Sequence, residues 1–319
     1  MAQQSHSRTT RMWISDHELA IHQAPNKTSR VPGTDCAVAP LKLRKERKVD
    51  ETNVDKTRLQ TPSSGTDSAL PLQAGSPWRR YKAILSLLDM GDKVIVASER
   101  AAPMSRVGVR RFPRGNQDTE TLSRLREVRH ANIVAALEAF QGQKILYIVF
   151  EDMHMPLDHV IRCPRRRTSD EVGTIVGQIL DGLDYLDSHR WCHSRLSCET
   201  ILVQMAGDVK IGMQELCRAA SSKEQQQNLT DIGTITMKLM QGYALEEGKV
   251  GVEDLSDWQE SSILDFLSAI TSSDRAGRLR KNIFLVQIWE KDSRWPKEIL
   301  CDLFHTAQLS VRRYYHYKP

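Results

Sequence analysis

The side chains of this sequence that could carry out chemistry lie closest together between Cys192 and Cys198, where a cysteine stands beside a histidine. A cysteine activated by histidine is a nucleophile, and the two residue types also form common zinc sites. Because adjacent residues of an extended segment point to opposite sides, Cys192 and His193 are not expected to form a nucleophile pair. A metal site that combines His193 and His130 with Cys192 or Cys198 remains an alternative at this point. The six cysteines show no C-x-x-C spacing, which disfavours a zinc ribbon and fits a reduced intracellular protein.

Three stretches rich in basic residues could bind anions. Arginines 165–167 could hold a phosphorylated or acidic partner through bidentate pairs, although such a trio more often forms a solvated turn. Residues 311–318 mix aromatic and basic side chains, as single-strand nucleic-acid binders do, but the tyrosines could equally dock on the domain. Residues 42–48 hold five basic residues and one acid, which is compatible with nuclear targeting and more often indicates a solvated charge run.

The whole chain excludes several classes of protein. Its 319 residues are 40% hydrophobic and 6% aromatic, unlike collagen, a disulfide miniprotein or a fully disordered chain. No apolar run approaches the roughly 20 residues that cross a bilayer, and no secretory signal is visible. We therefore expect a cytoplasmic protein without a membrane role. A nuclear location is also possible if residues 42–48 act as a targeting signal. The net charge of +5 is mild, so nucleic acid is not a favoured partner.

Residues 1–77 are predicted to be a disordered leader, because they hold six of the twelve prolines and few large apolar residues. Order is expected to begin near Trp78. Short β-branched and apolar runs predict strands, and leucines three apart predict a helix. The predicted strands are 93–97, 106–112, 133–137 and 144–150, of which the first two form a hairpin, and the helix is 121–129.

The second half of the chain is predicted to be helical. Residues 169–188 give the clearest helix, with Thr168 or Ser169 as the cap and an apolar stripe wide enough to be buried in a core. Later helices are predicted at 229–240, 262–270 and 297–308. Strands in the first part and helices in the second indicate two unequal lobes.

Several segments, in this order, resemble those of eukaryotic protein kinases. Residues 129–134 are similar to the H-P-N-I-V segment before the fourth kinase strand. Residues 148–153 resemble the fifth strand and hinge, with Phe150 as gatekeeper. The helix at 169–188 resembles αE. Residues 193–203 match H-R-D-L-K-P-x-N-I-L at the His, Leu, Ile and Leu positions, and 209–211 resemble the strand before D-F-G.

The resemblance covers about residues 85–285 and implies an α+β protein-kinase-like bilobal fold. It implies a small, mostly β N-lobe at about 78–153 and a larger helical C-lobe at about 154–290. Residues 291–319 would then form a C-terminal helix and tail. In this family phosphoryl transfer depends on positioning and electrostatics, with an aspartate base, a lysine and two magnesium ions around ATP.

The catalytic-loop positions that the resemblance implies are degenerate. The aspartate base is replaced by Arg195, whose guanidinium cannot accept a proton. The loop lysine is replaced by Ser197 and the magnesium-binding asparagine by Thr200. The D-F-G aspartate is replaced by Met213, a thioether unsuited to magnesium. His193 retains a position that is structural in the family. No catalytic residue and no metal site are therefore predicted.

The N-lobe positions are also altered. The lysine of V-A-I-K is replaced by Arg110, and the αC glutamate position is Thr121, with Glu120 one residue away. The glycine-rich loop is absent, since residues 85–97 contain only Gly91. What the resemblance leaves is a vestigial nucleotide cleft lined by the following residues: Arg110, Phe150, Glu151 and Met153.

The segment that binds peptide substrates in kinases is also reduced. Only twelve residues separate Glu215 from Asn228, and no A-P-E follows. Asn228 replaces the αF aspartate that would brace the catalytic loop. Arg275 could correspond to the arginine in a late helix of kinases that pairs with the A-P-E glutamate. With that glutamate absent, an ordinary surface charge is the simpler interpretation.

Three hypotheses follow. The first is a catalytically inactive pseudokinase domain that acts as a scaffold or regulator through protein partners and needs no cofactor. The second is a divergent serine/threonine kinase that binds ATP with magnesium, with Glu215 or Asp208 replacing the lost metal ligand. The third is a chain whose kinase ancestry serves no activity. The sequence does not determine the oligomeric state.

Overall fold

The computed structural model describes residues 70–90, 93–246, 249–256, 258, 262–290, 294–311 and 315–316. Most of the predicted leader, the basic run 42–48 and Gly91 lie outside these residues, as do 312–314 and 317–319 of the tail. The predicted end of the leader at residue 77 is wrong. Leu70 is buried and residues 72–74 form a strand, because a neighbouring strand pairs with them.

The first part of the described chain is dominated by a seven-stranded mixed sheet with the strand order β1-β5-β6-β4-β3-β2-β12. All neighbours pair antiparallel except β1 and β5, which are parallel. Five short strands lie in the second part. The strands are β1 Leu72–Ala74, β2 Tyr81–Leu87, β3 Val94–Glu99, β4 Arg106–Pro113, β5 Ala136–Gln141, β6 Ile145–Glu151, β7 Met155–Pro156, β8 Trp191–His193, β9 Ile201–Val203, β10 Val209–Ile211, β11 Cys217–Ala219 and β12 Tyr315–His316.

Helices form most of the second part, so the predicted α+β architecture, with a strand-rich first part and a helical second part, is confirmed. Among the described residues no helix is sufficiently long and apolar to span a membrane. The helices are α1 Asp118–Glu127, α2 Leu157–Arg162, α3 Ser169–Ser188, α4 Ser222–Gln241, α5 Ile263–Ser272, α6 Ala276–Leu279, α7 Ile283–Glu290 and α8 Leu300–Val311. A 3-10 turn, Lys297–Ile299, precedes α8.

The hairpin prediction is confirmed, since β3 and β4 pair with Ile95 opposite Val109. The strand predicted at 133–137 is wrong, because β5 begins only at Ala136. Ile133 instead forms an isolated bridge to Ile211, and Val134 donates to the Ile211 carbonyl at 2.9 Å. That bridge connects the sheet to β10, which leads into the site described below.

Helix α3 is the centre of the C-lobe core and has the predicted bounds. Thr168 accepts from the Glu171 amide, and the Glu171 carboxylate accepts from the Thr168 amide, so the two form a capping box. Gly173 lets helix α7 approach closely, and Gly177 does the same for the segment before the 3-10 turn: a Cβ on Gly177 would lie 2.0 Å from the Trp295 ring. These two contacts pack the C-terminal part of the chain against α3.

Two of the arginines in 165–167 are used inside the fold. Arg165 pairs with Glu171 at 2.8 Å, and Arg167 donates to the Leu239 carbonyl at 2.8 Å. Burial lowers the pKa of Arg167. Neither a partner site nor a solvated turn describes these two side chains.

Candidate functional site

His193 lies at the end of β8, at the start of the loop that resembles the kinase catalytic loop. Its imidazole is buried, with Nε2 3.1 Å from the Gly212 carbonyl and Nδ1 3.4 Å from the Arg195 amide. Burial, opposed by weaker backbone hydrogen bonds, lowers the pKa of His193 to about 4. The ring is therefore neutral at pH 7, accepting the amide proton and donating to the carbonyl, which supports the structural role. Nowhere in the described chain do three His, Cys, Asp or Glu side chains form a group that could hold a metal ion.

Asn228, on α4, braces the same loop. Its Oδ1 accepts from the His193 amide at 3.1 Å, and its Nδ2 donates to the His193 carbonyl at 2.7 Å. The side chain is buried, so both hydrogen bonds are shielded from water. An amide can donate as well as accept, so Asn228 satisfies both backbone groups of His193.

Thr200 organises the middle of the loop. Its hydroxyl accepts from the Ser197 amide at 3.0 Å and lies 3.1 Å from both the Arg195 and the Ser197 carbonyls. Thr200 is fully buried. The residue at the position of the magnesium-binding asparagine therefore uses its oxygen to hold the loop.

Arg195 and Met213 lie next to each other at the mouth of the site. Arg195 is exposed, and its Nη2 is 3.9 Å from the Met213 sulfur. Met213 follows Gly212 with φ +57° and ψ +47°, in the left-handed region that non-glycine residues adopt at a cost of about 1–2 kcal/mol. The bend at Met213 turns the chain from β10 into the 3-10 turn Gln214–Leu216.

Arg110, on β4, makes a buried ion pair with Glu215 of this turn. The Nη1 to Oε1 distance is 2.6 Å, and the two side chains are 8% and 11% exposed. The glutamate of the first helix does not take part, because Glu120 is mostly exposed and pairs with Arg124. Arg124 in turn donates to the Glu215 carbonyl at 2.6 Å. The sequence suggested Glu215 only as a substitute metal ligand, so this pairing was not predicted.

The predicted cleft residues Arg110, Phe150, Glu151 and Met153 all lie in the wall of one cavity, together with Met213. The cavity has a volume of about 30 Å³. A buried water needs roughly 10–15 Å³ measured in the same way, so the space suits about two water molecules. The empty space between the lining atoms, including the part that is open to solvent, is about 460 Å³.

Met90, between β2 and β3, belongs to the same wall. Its side chain is 3% exposed and lines the cavity in the cluster that contains Phe150, Met153 and Leu202. The neighbouring Asp89 lies 2.9 Å from Nε2 of His159, a buried residue of α2. A segment of the N-lobe is thus joined to the C-lobe next to Met90.

Glu151 and Asp208 are also engaged elsewhere. Glu151 pairs with Lys210 at 2.7 Å and accepts from the Ala135 amide at 2.7 Å, so its carboxylate joins β6 to β10. Asp208 pairs with Lys297 at 2.5 Å and does not line the cavity. Both acids that the sequence analysis offered as substitute metal ligands, Glu215 and Asp208, therefore have cationic partners.

Comparison with known proteins points to one family. Residues 111–245 match the family model described as "Protein kinase domain". "Mitogen-activated protein kinase 3" of Oryza sativa subsp. japonica is 33% identical over 109 residues, which are 33% of this chain and 30% of that protein. "Probable serine/threonine-protein kinase MRK1 homolog" of Encephalitozoon cuniculi is 33% identical over 113 residues, 34% of this chain and 35% of that protein. "Serine/threonine-protein kinase 36" of Pongo abelii is 30% identical over 98 residues, 31% of this chain and 8% of that protein. The chain thus spans about a third or less of the length of these relatives.

Proposed function

We propose that this chain, which carries a protein-kinase-like domain, acts as a scaffold or regulator through protein contacts and does not transfer phosphate. The observation that carries the proposal is the buried ion pair between Arg110 and Glu215, beside the small cavity that Arg110 lines. Arg110 occupies the position at which the resemblance expects a phosphate-binding lysine. Its charge is already neutralised by a residue of the chain.

Releasing Arg110 to a phosphate group has a large cost. Glu215 would be left as a buried carboxylate without its cation, and breaking a buried pair in this way typically costs about 3–5 kcal/mol. The triphosphate would also meet the Glu215 charge in a poorly hydrated space, where like charges repel strongly. The ion pair therefore competes directly with a nucleotide.

The adenine side of the cleft argues in the same direction. A cavity of about 30 Å³ does not admit a purine unless side chains move. Met90, which lines the cavity with a side chain that is 3% exposed, would have to leave its buried position. Nucleotide binding would thus lose apolar burial.

The catalytic loop offers no substitute for the missing groups. Arg195 cannot act as a base, a role worth about 10²–10⁴ in rate. Thr200 is buried and Met213 presents sulfur, so neither supplies the accessible hard oxygen ligand that magnesium needs. The same loop is nevertheless well held by Asn228 and His193. A stable fold without the reactive groups supports a role that depends on contacts.

The proposal is tested by nucleotide binding and autophosphorylation of the full chain. We expect no change in Tm with millimolar ATP and Mg²⁺. A ligand at one hundred times its Kd would stabilise the fold by about 2.7 kcal/mol, which corresponds to a rise in Tm of about 5–10 °C for a domain of this size. A magnesium-dependent rise together with incorporation of phosphate into purified protein would overturn the proposal and favour the divergent-kinase alternative.

A further inference from the structure

The outer edge of β1 has backbone groups that no described residue satisfies. Among the described strands, β1 ends the seven-stranded sheet and pairs only with β5. The Ala139 amide donates to the Pro71 carbonyl at 2.8 Å, and the Gly75 amide donates to the Gln141 carbonyl at 2.9 Å. Because alternate residues of a parallel strand bond to the same neighbour, the amides and carbonyls of Leu72 and Ala74 face outward.

Open grooves border both ends of this edge. The first has a volume of about 580 Å³ and is lined mainly by apolar residues that include Pro71, Ile133 and Leu137. The second has a volume of about 650 Å³, and Arg79 and Lys144 are among its lining residues. Leu72 and Leu137 are each 43% exposed, so apolar surface continues along the edge.

The charge of the two grooves is positive. Of the described residues that line the two grooves, none is an aspartate or a glutamate. Arg79 and Lys144 have exposed side chains that pair with no acid among the described residues. The nearest carboxylate on β5, Glu138, is buried and bound by Gln73, Arg80 and Tyr81, so it does not offset the two cations.

We propose that the outer edge of β1 is a docking site for an extended, acidic segment of a partner protein, which adds to the sheet as a further strand. The inference deepens the contact-based function proposed above and rests on it. Hydrogen bonds from Leu72 and Ala74 would hold the backbone of the segment, as in other cases of strand addition. Its acidic side chains would meet Arg79 and Lys144, and an apolar side chain would fill the groove at Pro71 and Leu137.

The test uses a fluorescein-labelled peptide that alternates glutamate and valine, titrated against the full chain by fluorescence anisotropy. We expect saturable binding that weakens as salt rises, because exposed charge pairs are screened. A peptide with lysine in place of glutamate should not bind. If the glutamate peptide does not bind the natural chain, or if the lysine peptide binds equally well, the proposal is wrong.

Two variants locate the site. Leu72→Pro removes an outward amide and none of the bonds to β5, and we expect binding to weaken about two- to tenfold. Leu72→Ala keeps the amide and separates the backbone effect from loss of the side chain. The double change Arg79→Glu with Lys144→Glu should weaken binding about three- to tenfold at low salt, since each exposed pair contributes little. Lys82→Glu, an exposed change on β2 of the same sheet, is the matched control.

The other possible results also support or overturn the proposed docking site. Equal binding by the proline variant, the double variant and the control would overturn the site, provided each keeps the Tm of the natural chain. A lowered Tm for Leu72→Pro would leave the decision to the double variant, whose changes lie on exposed side chains. Light scattering that finds a dimer dissolved by Leu72→Pro would assign the edge to a second copy of the chain. The ATP and autophosphorylation assays are separate, so failure of the docking site and failure of the non-catalytic role can be told apart.

Discussion

Replacing Glu215 by alanine is expected to destabilise the fold more than loss of an ordinary surface acid. The variant leaves Arg110 in a site where the side chain is 8% exposed, without the carboxylate that lies 2.6 Å from its Nη1. At an effective dielectric constant of about 20, the attraction at that distance is about 6 kcal/mol. Part of it offsets the cost of taking both charges out of water.

The net loss of stability in Glu215→Ala depends on the charge of Arg110, which remains buried without its partner. Removing one partner of a buried pair typically costs about 3–5 kcal/mol. For a domain of roughly 230 residues this corresponds to a fall in Tm of about 6–20 °C. Replacing both residues, by Arg110→Met with Glu215→Leu, removes the uncompensated charge and should recover most of the loss, since such exchanges are often close to neutral.

The assay is thermal and urea unfolding of the natural chain, the single variant and the double variant. Glu120→Ala is the matched control, because Glu120 also pairs with an arginine but its side chain is 61% exposed. That variant should cost no more than about 1 kcal/mol. If Glu215→Ala costs no more than Glu120→Ala, the pair does not hold the cleft closed and the argument from Arg110 fails.

Three further predictions concern the packing around the loop. Because His193 has a pKa of about 4 in the folded chain and about 6.5 unfolded, the unfolded state binds more protons between these values. Stability should therefore fall as pH drops, by about 2 kcal/mol from pH 7 to pH 5. Urea unfolding of the natural chain and of His193→Gln at both pH values measures this fall. An equal fall in the variant would exclude His193 as the source. Asn228→Ala leaves the buried amide and carbonyl of His193 without partners and should cost about 2–4 kcal/mol; a cost no larger than that of a surface substitution such as Gln226→Ala would contradict the bracing role. Gly177→Ala puts a methyl group 2.0 Å from the Trp295 ring and should lower stability by about 1–3 kcal/mol, with a change in tryptophan fluorescence; an unchanged Tm and spectrum would show that Trp295 can move away from α3 at little cost.

Local patterns predicted the elements whose residues decide their own structure. The helix Ser169–Ser188 was predictable because its capping residue, Thr168, directly precedes it and its apolar stripe runs along the segment itself. The hairpin of β3 and β4 was predictable for the same reason. The apolar run at 133–137 misled, since such a run does not distinguish a strand from a buried connection. Its beginning bridges to β10, and only the paired part from Ala136 is a strand.

The short strand β1 could not be found in this way. Leu72–Ala74 has three residues, all exposed, in a proline-rich stretch without periodicity. It is a strand because β5 lies beside it and satisfies its inward groups. The exposed edge that we propose as a docking site depends on that pairing alone.

At the candidate site the sequence by itself determined the chemistry of single side chains. An arginine cannot accept a proton and a thioether does not suit magnesium, wherever Arg195 and Met213 lie. Only the tertiary structure decided which acid neutralises Arg110 and what lines the cleft. Glu215 reaches Arg110 because the turn after Met213 lies against helix α1, and Met90 lines the cleft from the connection between β2 and β3. Such contacts join residues far apart in the chain, and their energies depend on distances and burial that exist only after folding.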